Sequence, residues 1–315
     1  MSQKEQLPLV SVIIPTFNRK NYLKKCINSV FSSTYKNIEV IIADDCSTDN
    51  SMKIILKKYD NKKINYIYSK HKHFLSYNIN LAIKKSKGSL ILKLDDDNQL
   101  HKKAIDAMVY EFLSNNDVGV VGPVAVYAGN SGIVCHAGVR RSKFMRRAIY
   151  PFMNCKLTKE ITSNLKIDDF TNVFMFNRKA AIKSGLMDLD IPYMGEDSEF
   201  QARISRSGYK IKLCSTALVY HNIPFSTETY FLRFNKIRFY HTMRSKVIYE
   251  IRYAPNLKKI TFLTSIPLYW GYYAYRIFKN SNSFDKNIMM FYNVIKGTFS
   301  GLKIGFSGKS NIEWL

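Results

Sequence analysis

The chain has 315 residues, of which 46% are apolar and 23% are charged, and this composition is that of a globular protein and excludes disorder along the whole chain. Its 14 Gly and 8 Pro are too few for a collagen-like or low-complexity protein. The 48 Lys and Arg against 24 Asp and Glu give a formal net charge of +24. We therefore expect an anionic partner, which could be nucleic acid, a phospholipid surface or a phosphorylated substrate.

The cysteines and the N-terminal sequence indicate the cellular compartment in which the protein is found. The five cysteines are odd in number, are widely spaced and include no C-x-x-C pair, so neither a disulfide framework nor a thiolate zinc site is expected. The N-terminal run MSQKEQLPLV lacks the basic and then apolar layout of a secretory signal. These features predict a cytoplasmic protein.

Up to about residue 223, short β-rich runs alternate with longer amphipathic stretches. This order is typical of strands that are separated by crossover helices in a mostly parallel sheet. We predict strands at residues 9–15, 38–43, 64–68, 89–94, 118–124, 173–177, 211–214 and 217–221. Apolar residues at helical spacing predict helices at residues 22–32, 51–59, 75–86, 102–114, 178–184 and 196–207. The predicted fold class is α/β, a Rossmann-like sheet flanked by helices.

Beyond that point the chain becomes aromatic, basic and helical in pattern. We place a domain boundary there, with one domain at 1–225 and a helical C-terminal extension at 226–315. From Tyr230 to Leu315 the chain has 14 Lys and Arg but only three acidic residues. The positive charge is therefore concentrated toward the C-terminus.

An uncharged stretch at residues 260–275 leaves three interpretations of this extension open. Its sixteen residues are fewer than the roughly 20 that a membrane-spanning helix needs, and they include Pro267 and Gly271. The stretch contains Tyr269, Trp270, Tyr272, Tyr273 and Tyr275. Aromatic rings flanked by Lys and Arg suit the headgroup zone of an anionic bilayer, which favours peripheral attachment to the inner face of the cell membrane. The alternatives are a lid packed on the sheet and a spanning helix.

Acidic residues form three clusters at or just beyond predicted strand ends and before a helix. The clusters are Asp44 and Asp45, then Asp95, Asp96 and Asp97, and then Glu196 and Asp197. The carboxyl ends of parallel strands share one edge of a sheet, where ligands bind. Clustered carboxylates repel one another unless a cation neutralises them, and oxygen ligands favour Mg²⁺ or Mn²⁺. Helix capping or solvation is the alternative explanation for any one cluster.

Four motifs in this order resemble the signature of the family 2 inverting glycosyltransferases of the GT-A fold. They are VSVIIPTFNR at 10–19, ADDCSTD at 43–49, LDDDN at 94–98 and GEDSEF at 195–200. The resemblance extends over about residues 9–221. It implies a GT-A fold, a nucleotide-sugar donor and a divalent cation, either Mn²⁺ or Mg²⁺.

The resemblance also implies roles for individual residues. Those that would contact the donor are Pro15, Thr16, Phe17, Asp44, Asp45, Asp95 and Asp96. Asp97 would bind the cation directly, with Asp95 and His221 as further metal ligands. Asp197 would be the catalytic base that takes a proton from the acceptor hydroxyl, with Glu196 beside it.

The chain departs from the family pattern at two places. Cys46 stands where Gly is usual, and Asn78-Ile79-Asn80 replaces the usual A-R-N, which removes a possible phosphate-facing Arg. A basic cluster at residues 140–147 could reinforce the cation in stabilising the leaving diphosphate. Solvent or lipid is the alternative environment for that cluster.

These observations predict a metal-dependent, inverting transfer of a sugar from a nucleotide donor to an acceptor hydroxyl. We expect a sugar or lipid-linked acceptor and an anionic membrane surface as further partners. Two alternatives are a non-catalytic membrane-bound scaffold and a basic nucleic-acid-binding protein. The chain shows no zinc spacing, RNP-like aromatic motif or basic arm, so nucleic acid is not expected as a partner.

Overall fold

A mixed, mostly parallel β-sheet lies at the centre of the computed structural model, which describes residues 7–59, 64–69, 75–142, 147–158, 161, 165–223, 236–280 and 283–307. The strands are β1 (Val10–Thr16), β2 (Ile38–Asp44), β3 (Ile64–Tyr68), β4 (Leu90–Leu94), β5 (Asn98–Leu100), β6 (Val118–Tyr127), β7 (Asn130–His136), β8 (Arg140–Arg141), β9 (Ala148–Ile149), β10 (Val173–Asn177) and β11 (Lys210–His221). The helices are α1 (Lys20–Phe31), α2 (Ser51–Lys58), α3 (Leu75–Lys85), α4 (Ala104–Ser114), α5 (Arg178–Lys183), α6 (Glu196–Arg206), α7 (Lys236–Tyr253), α8 (Asn256–Lys279) and α9 (Phe284–Ser307).

The strand order in the sheet is β3-β2-β1-β4-β10-β6-β11-β5, and β7 also pairs with β6. The N-terminal half follows the predicted alternation, because β1, β2, β3 and β4 are parallel and are connected through helices. β10 then runs antiparallel between β4 and β6. β11 is one strand where we predicted two, and its pairing with β6 is irregular between Cys214 and Leu218, close to the predicted gap.

Apolar residues cover both faces of the sheet. Successive side chains of a strand point to opposite faces, so Val12 and Ile14 of β1 join one apolar cluster and Ile13 joins the other. Leu23 and Ile27 of α1 pack into the first cluster. This burial from two sides explains why the first strand is an almost continuous apolar run.

The C-terminal helices α7 and α9 pack closely through glycines. Gly297, Gly301 and Gly305 occupy one face of α9, one turn apart, and all three are buried. A Cβ atom on Gly301 would lie 2.7 Å from the Cβ of Val247 on α7. Only glycine allows the two helix backbones to approach this closely.

Ion pairs attach α7 to the loop that precedes α6. The guanidinium of Arg252 lies 2.9 Å from Asp188 and 2.6 Å from Asp190, and Arg244 donates a hydrogen bond of 2.6 Å to the carbonyl of Asp190. The predicted domain boundary at 225/226 lies outside the described residues.

The aromatic stretch predicted to face lipid is divided between interior and surface. Tyr269 is 3% exposed, and Trp270 and Tyr273 pack against the same apolar cluster, whereas Tyr275 is 60% exposed. Tyr269, Trp270 and Tyr273 thus lie in an apolar core, as the lid interpretation predicts, but that core is formed by α7, α8 and α9 and not by the sheet. Among the described residues, no helix has both the length and the apolar character that crossing a bilayer requires.

Candidate active site

Acidic side chains from distant parts of the chain meet at the carboxyl edge of the parallel strands. β1 and β2 end there side by side, with Thr16 opposite Asp44. The backbone N–H of Asp45 donates to the carbonyl of Thr16 at 2.9 Å, and the Thr16 hydroxyl donates to Asp96 at 2.7 Å. The first two acidic clusters therefore lie at one edge, as predicted.

Lys93 connects the acids after β4 with those at the start of α6. Its ammonium group lies 2.9 Å from Asp95 and 2.7 Å from Asp197, and its side chain is only 1% exposed. Burial alone would lower the pKa of Lys93, but the neighbouring carboxylates, led by Asp197, outweigh it and raise the pKa, so the group stays charged. Lys93 was not predicted from the sequence as a site residue. A lysine within the apolar strand LILKL nevertheless indicates a buried ion pair, because a buried charge requires a partner.

Arg19 neutralises the other two acids of the Asp95–Asp97 run. Its guanidinium lies 2.9 Å from Asp96 and 3.0 Å from Asp97. Burial of Asp96 outweighs the effects of Arg19 and Thr16 and raises the pKa of this carboxyl to about 7. Arg19 is the last residue of the motif VSVIIPTFNR, but the motif alone indicated no role for it.

His221, the last residue of β11, lies beside Asp97. Its Nε2 atom is 3.6 Å from Asp97 Oδ1, and that oxygen also accepts a hydrogen bond of 2.8 Å from Asn98. Burial would raise the pKa of Asp97, but His221 and Arg19 together hold it at about 2. The same contact with Asp97 raises the pKa of His221 to about 9, although burial opposes this.

The donor types around Asp97 suit a divalent cation. Asp97 is ionised and partly exposed, and one of its oxygens lies 3.6 Å from His221 Nε2, but among the described residues Asp95 does not bring a ligand atom within 4.8 Å of both. Carboxylate oxygens with one imidazole suit Mn²⁺, and Mg²⁺ is held by carboxylates in the same way. Asp97, Asp95 and His221 are thus the residues that could hold the cation.

The two acids after β2 lie in different environments. Asp44 is buried and accepts hydrogen bonds from the Tyr66 hydroxyl and, at 2.8 Å, from the backbone N–H of Ser47. Asp45 is half-buried and accepts a hydrogen bond of 2.8 Å from the side-chain amide of Asn78. Asp44 stabilises the turn after β2, whereas Asp45 keeps a partly exposed carboxylate.

The remaining nucleotide-side residues lie along β1 and in the turn after β2. Pro15 is buried within β1, and Phe17 is half-buried directly after the strand. Cys46 has a φ of 67°, in the left-handed region that favours glycine. The turn that glycine makes in the family pattern is therefore kept here at some conformational cost.

Glu196 and Asp197 form the first turn of α6, where the helix dipole favours negative charge. Burial, reinforced by the charge of Asp197, raises the pKa of Glu196 to about 8. Asp197 Oδ2 accepts hydrogen bonds from Lys93 at 2.7 Å and from the backbone N–H of Asn172 at 3.3 Å. Its Oδ1 has no hydrogen-bond partner among the described residues.

The basic cluster at 140–147 contributes Arg141 to the support of α6. Arg141 makes two hydrogen bonds to Asp169, of 2.8 and 2.9 Å, and one of 2.6 Å to the Ser198 hydroxyl, which follows Asp197. Residues 143–146 lie outside the described residues. Arg141 is thus paired in the structure with a carboxylate beside the site.

The chain is similar to known glycosyltransferases in sequence. The model of the family described as Glycosyl transferase family 2 matches residues 11–185. The chain is 35% identical to the chondroitin synthase of Pasteurella multocida over 120 residues, which are 38% of this chain and 12% of that protein. It is 31% identical to the GalNAc(5)-diNAcBac-PP-undecaprenol beta-1,3-glucosyltransferase of Campylobacter jejuni over 105 residues, which are 33% of this chain and 34% of that protein.

The fold is similar as well. A crystal structure of GalNAc-T7 with UDP, GalNAc and Mn²⁺ matches 84% of this chain and 52% of that one, with a TM-score of 0.66 and 17% identity. The similar regions thus span less than two thirds of the length of each of these relatives. The predicted GT-A fold, a mostly parallel sheet between helices with a helical C-terminal extension, is confirmed. Because the family model matches more than half of the chain, this protein belongs to glycosyl transferase family 2.

Proposed function

We propose that this protein is a metal-dependent, inverting glycosyltransferase that moves a sugar from a nucleotide-sugar donor to an acceptor hydroxyl. The observation that carries the proposal is the grouping of acids and cations at one sheet edge. The backbone N–H of Asp45 donates to Thr16, whose hydroxyl donates to Asp96. Arg19 pairs with both Asp96 and Asp97, and Lys93 pairs with Asp197. Membership of the family supports the class of reaction.

The donor would lie across the ends of β1, β2 and β4. Phe17 offers a ring for the base, and Asp45 offers a carboxylate for the base or ribose. Asp97, Asp95 and His221 would hold the cation, which supplies a Lewis acid for the departing diphosphate. Arg19 is 41% exposed in its side chain, so it can turn from Asp97 toward a phosphate without leaving a buried site.

Asp197 is the proposed base. One of its oxygens is held by Lys93 and Asn172, which orients the carboxylate, and the other is buried without a hydrogen-bond partner among the described residues, so it would take the proton of an acceptor hydroxyl that enters the site. Burial raises the pKa of Glu196 to about 8, which favours its protonated form at neutral pH and leaves the role of base to Asp197. A single base opposite the leaving diphosphate allows direct displacement, which inverts the anomeric centre.

The C-terminal helices are the proposed membrane-binding surface. Tyr292, Lys296, Phe299, Lys303 and Phe306 are exposed along α9 at spacings of four and three residues, which places them on one helix face. Aromatic rings that alternate with lysines on one face suit an anionic bilayer surface, which attracts the charges and takes up the rings. The opposite face of α9 carries the glycines that pack on α7.

A lipid-linked acceptor follows from this surface. An enzyme held at the membrane meets acceptors that are confined to it, and the name of the Campylobacter jejuni relative specifies an undecaprenol-linked acceptor for that protein. For this chain we propose a polyprenyl-phosphate-linked or surface glycan.

Thermal unfolding in the presence of UDP- and GDP-sugars, with and without Mn²⁺, tests the donor site. A ligand at about 100 times its Kd stabilises a protein by about 2.7 kcal/mol, which is readily measured. We expect a metal-dependent shift that Asp97→Asn abolishes and that the control Asp117→Asn, in an exposed ion pair with Lys210, preserves. The absence of a shift with every donor would favour the non-catalytic scaffold.

Asp197→Asn separates binding from chemistry. This variant should bind the donor identified above as the wild type does but lose transfer and donor hydrolysis by about 10²-fold or more, because it cannot accept the proton. NMR of the product should show an inverted anomeric configuration. Full transfer by this variant would exclude Asp197 as the base.

A further inference from the structure

Next to the candidate active site, a β-bulge in β7 brings the consecutive residues Cys135 and His136 close to His221. Ala125 of β6 pairs with His136 of β7, but Val126 pairs with Val134, so Cys135 is an extra residue in β7. In a regular strand, neighbouring side chains point to opposite faces, whereas a bulge redirects them. Here both Cys135 and His136 lie close to His221 at the end of β11.

The three side chains form a compact, buried group, which we call the Cys–His cluster. Its possible ligand atoms, one from each of Cys135, His136 and His221, lie within 4.8 Å of one another. Cys135 Sγ is 3.6 Å from His221 Nδ1. The three residues are 7%, 5% and 6% exposed.

His136 carries the second, independent observation. Neither of its ring nitrogens has a hydrogen-bond partner among the described residues, although the side chain is more than nine-tenths buried. Buried polar groups in folded proteins are rarely left without a partner, because they lose their hydrogen bonds to water and gain nothing in return. An imidazole in this state that faces a thiol and a second imidazole is placed to bind a cation together with them.

We propose that Cys135, His136 and His221 bind a thiophilic divalent cation, with Zn²⁺ as the cation that fits best. Two imidazoles and one thiolate are typical zinc ligands, whereas Mg²⁺ and Mn²⁺ prefer oxygen. Around a tetrahedral zinc, such ligand atoms are roughly 3.3–3.8 Å apart, so the cluster has to contract by about 1.5 Å at most. Three protein ligands leave the fourth position to a water molecule. From the sequence no thiolate zinc site was expected, because the cysteines are widely spaced. His221 is also distant from Cys135 in the chain, so no local motif contains the three residues.

The geometry couples this site to the candidate active site. A histidine that binds a metal through one ring nitrogen carries its proton on the other, which donates to a carboxylate in many metal sites. His221 would bind zinc through Nδ1 and direct its Nε2–H at Asp97, 3.6 Å away. Zinc at the Cys–His cluster would then prevent His221 from binding the cation at Asp97. This exclusion, but not the zinc site itself, rests on the proposed function.

X-ray absorption at the zinc edge tests the site in the wild-type chain. The full-length protein is reduced, freed of metal with a chelator, and loaded with one equivalent of Zn²⁺. The expected coordination shell contains one sulfur and two imidazoles. A shell without sulfur would overturn the proposal, and this measurement needs no variant that could fail to fold.

Co²⁺ provides the matched test with variants. Wild-type protein should show a thiolate-to-cobalt charge-transfer band that saturates at one equivalent and that Zn²⁺ displaces. Cys135→Ser should abolish the band, whereas Cys155→Ser, which removes an exposed thiol, should retain it. His136→Gln should weaken cobalt binding by more than about tenfold, the loss that removing even an outer partner of a metal ligand can cause. A band that survives Cys135→Ser, or that Cys155→Ser removes, would overturn the assignment.

Mn²⁺ binding, followed by electron paramagnetic resonance, tests the exclusion. Zinc-loaded wild-type protein should bind Mn²⁺ about tenfold more weakly than zinc-free protein, and Cys135→Ser should remove this effect of zinc. If sulfur-bound zinc leaves the affinity for Mn²⁺ unchanged, the exclusion is overturned, and so is the ligand role of His221 in the proposed donor site. A sulfur ligand in the X-ray absorption spectrum shows that the zinc site exists, so an unchanged affinity for Mn²⁺ would then contradict the exclusion but not the zinc site.

Discussion

The sheet edge and the C-terminal helices differ in whether their charged side chains are buried and paired or exposed to solvent. At the edge, buried carboxylates are paired with Lys93 and Arg19 through fixed contacts. On α9, lysines are exposed and alternate with exposed rings. Buried charges depend on well-placed partners, whereas exposed charges are screened and act over a broad surface. In our proposal, the edge binds one ligand of defined charge and α9 binds a charged surface.

The largest expected effect comes from removing the buried cation. Lys93→Met leaves the carboxylates of Asp95 and Asp197 without their partner, which should lower the free energy of unfolding by about 3–5 kcal/mol. Urea denaturation of the metal-free protein at pH 8 measures the loss. The control Lys210→Met breaks an exposed ion pair with Asp117 and should cost about 1 kcal/mol or less. Equal losses in the two variants would contradict the distinction between buried and exposed charge.

Substitutions at two glycines, Gly301 and Gly271, test how closely the C-terminal helices pack. In Gly301→Ala, the new methyl group would lie 2.7 Å from Val247 and 2.8 Å from the carbonyl of Arg244, so overpacking should destabilise the protein by about 1–3 kcal/mol. Among the described residues, no atom would lie within 4 Å of such a methyl group on Gly271 of α8. Gly271→Ala should therefore stabilise the helix by about 0.5–1 kcal/mol. Thermal unfolding of both variants compares the effects, and similar shifts would argue against close packing of α7 on α9.

The pH dependence of stability tests the burial of Glu196. Because its pKa of about 8 in the folded protein lies above the usual 4.5, the folded state binds this proton more tightly than the unfolded state. Stability from this group is present at low pH and is lost as the pH rises from about 4.5 through 8. Relative to the wild type, Glu196→Gln should therefore gain about 1 kcal/mol of stability for each pH unit between pH 5 and pH 8. A difference that does not change with pH would contradict the raised pKa.

The smallest effect should be on membrane binding, with stability unchanged. Replacing the exposed rings Phe299 and Phe306 with Ser should weaken binding to vesicles that contain phosphatidylglycerol by about tenfold, because these rings no longer enter the interface. Co-sedimentation with such vesicles, and with neutral phosphatidylcholine vesicles, measures this. The control replaces Tyr110 and Leu113, which are exposed on α4, with Ser. Equal weakening by both pairs would remove α9 as the binding surface.

Much of the fold and part of the site could be predicted from the sequence. The run VSVIIP and the helical spacing of Leu23 and Ile27 predicted β1 and α1, because local periodicity reflects burial. The acids after β2 and β4 were predicted to share an edge, which follows from parallel pairing. Lys93 was missed because its partner Asp197 is distant in the chain. The orientation of Tyr269 stayed open between a core and a membrane interface because an aromatic residue fits both equally well.

The sequence by itself determined the alternation of strands and helices, the family and the excess of positive charge toward the C-terminus, because each of these depends on residues near one another in the chain. Only the tertiary structure decided which charges neutralise one another and which surfaces remain open. Lys93 with Asp197, Cys135 with His221, and Gly301 with Val247 are contacts between distant segments. Burial makes such contacts strong, since it removes the water that would otherwise satisfy each group alone.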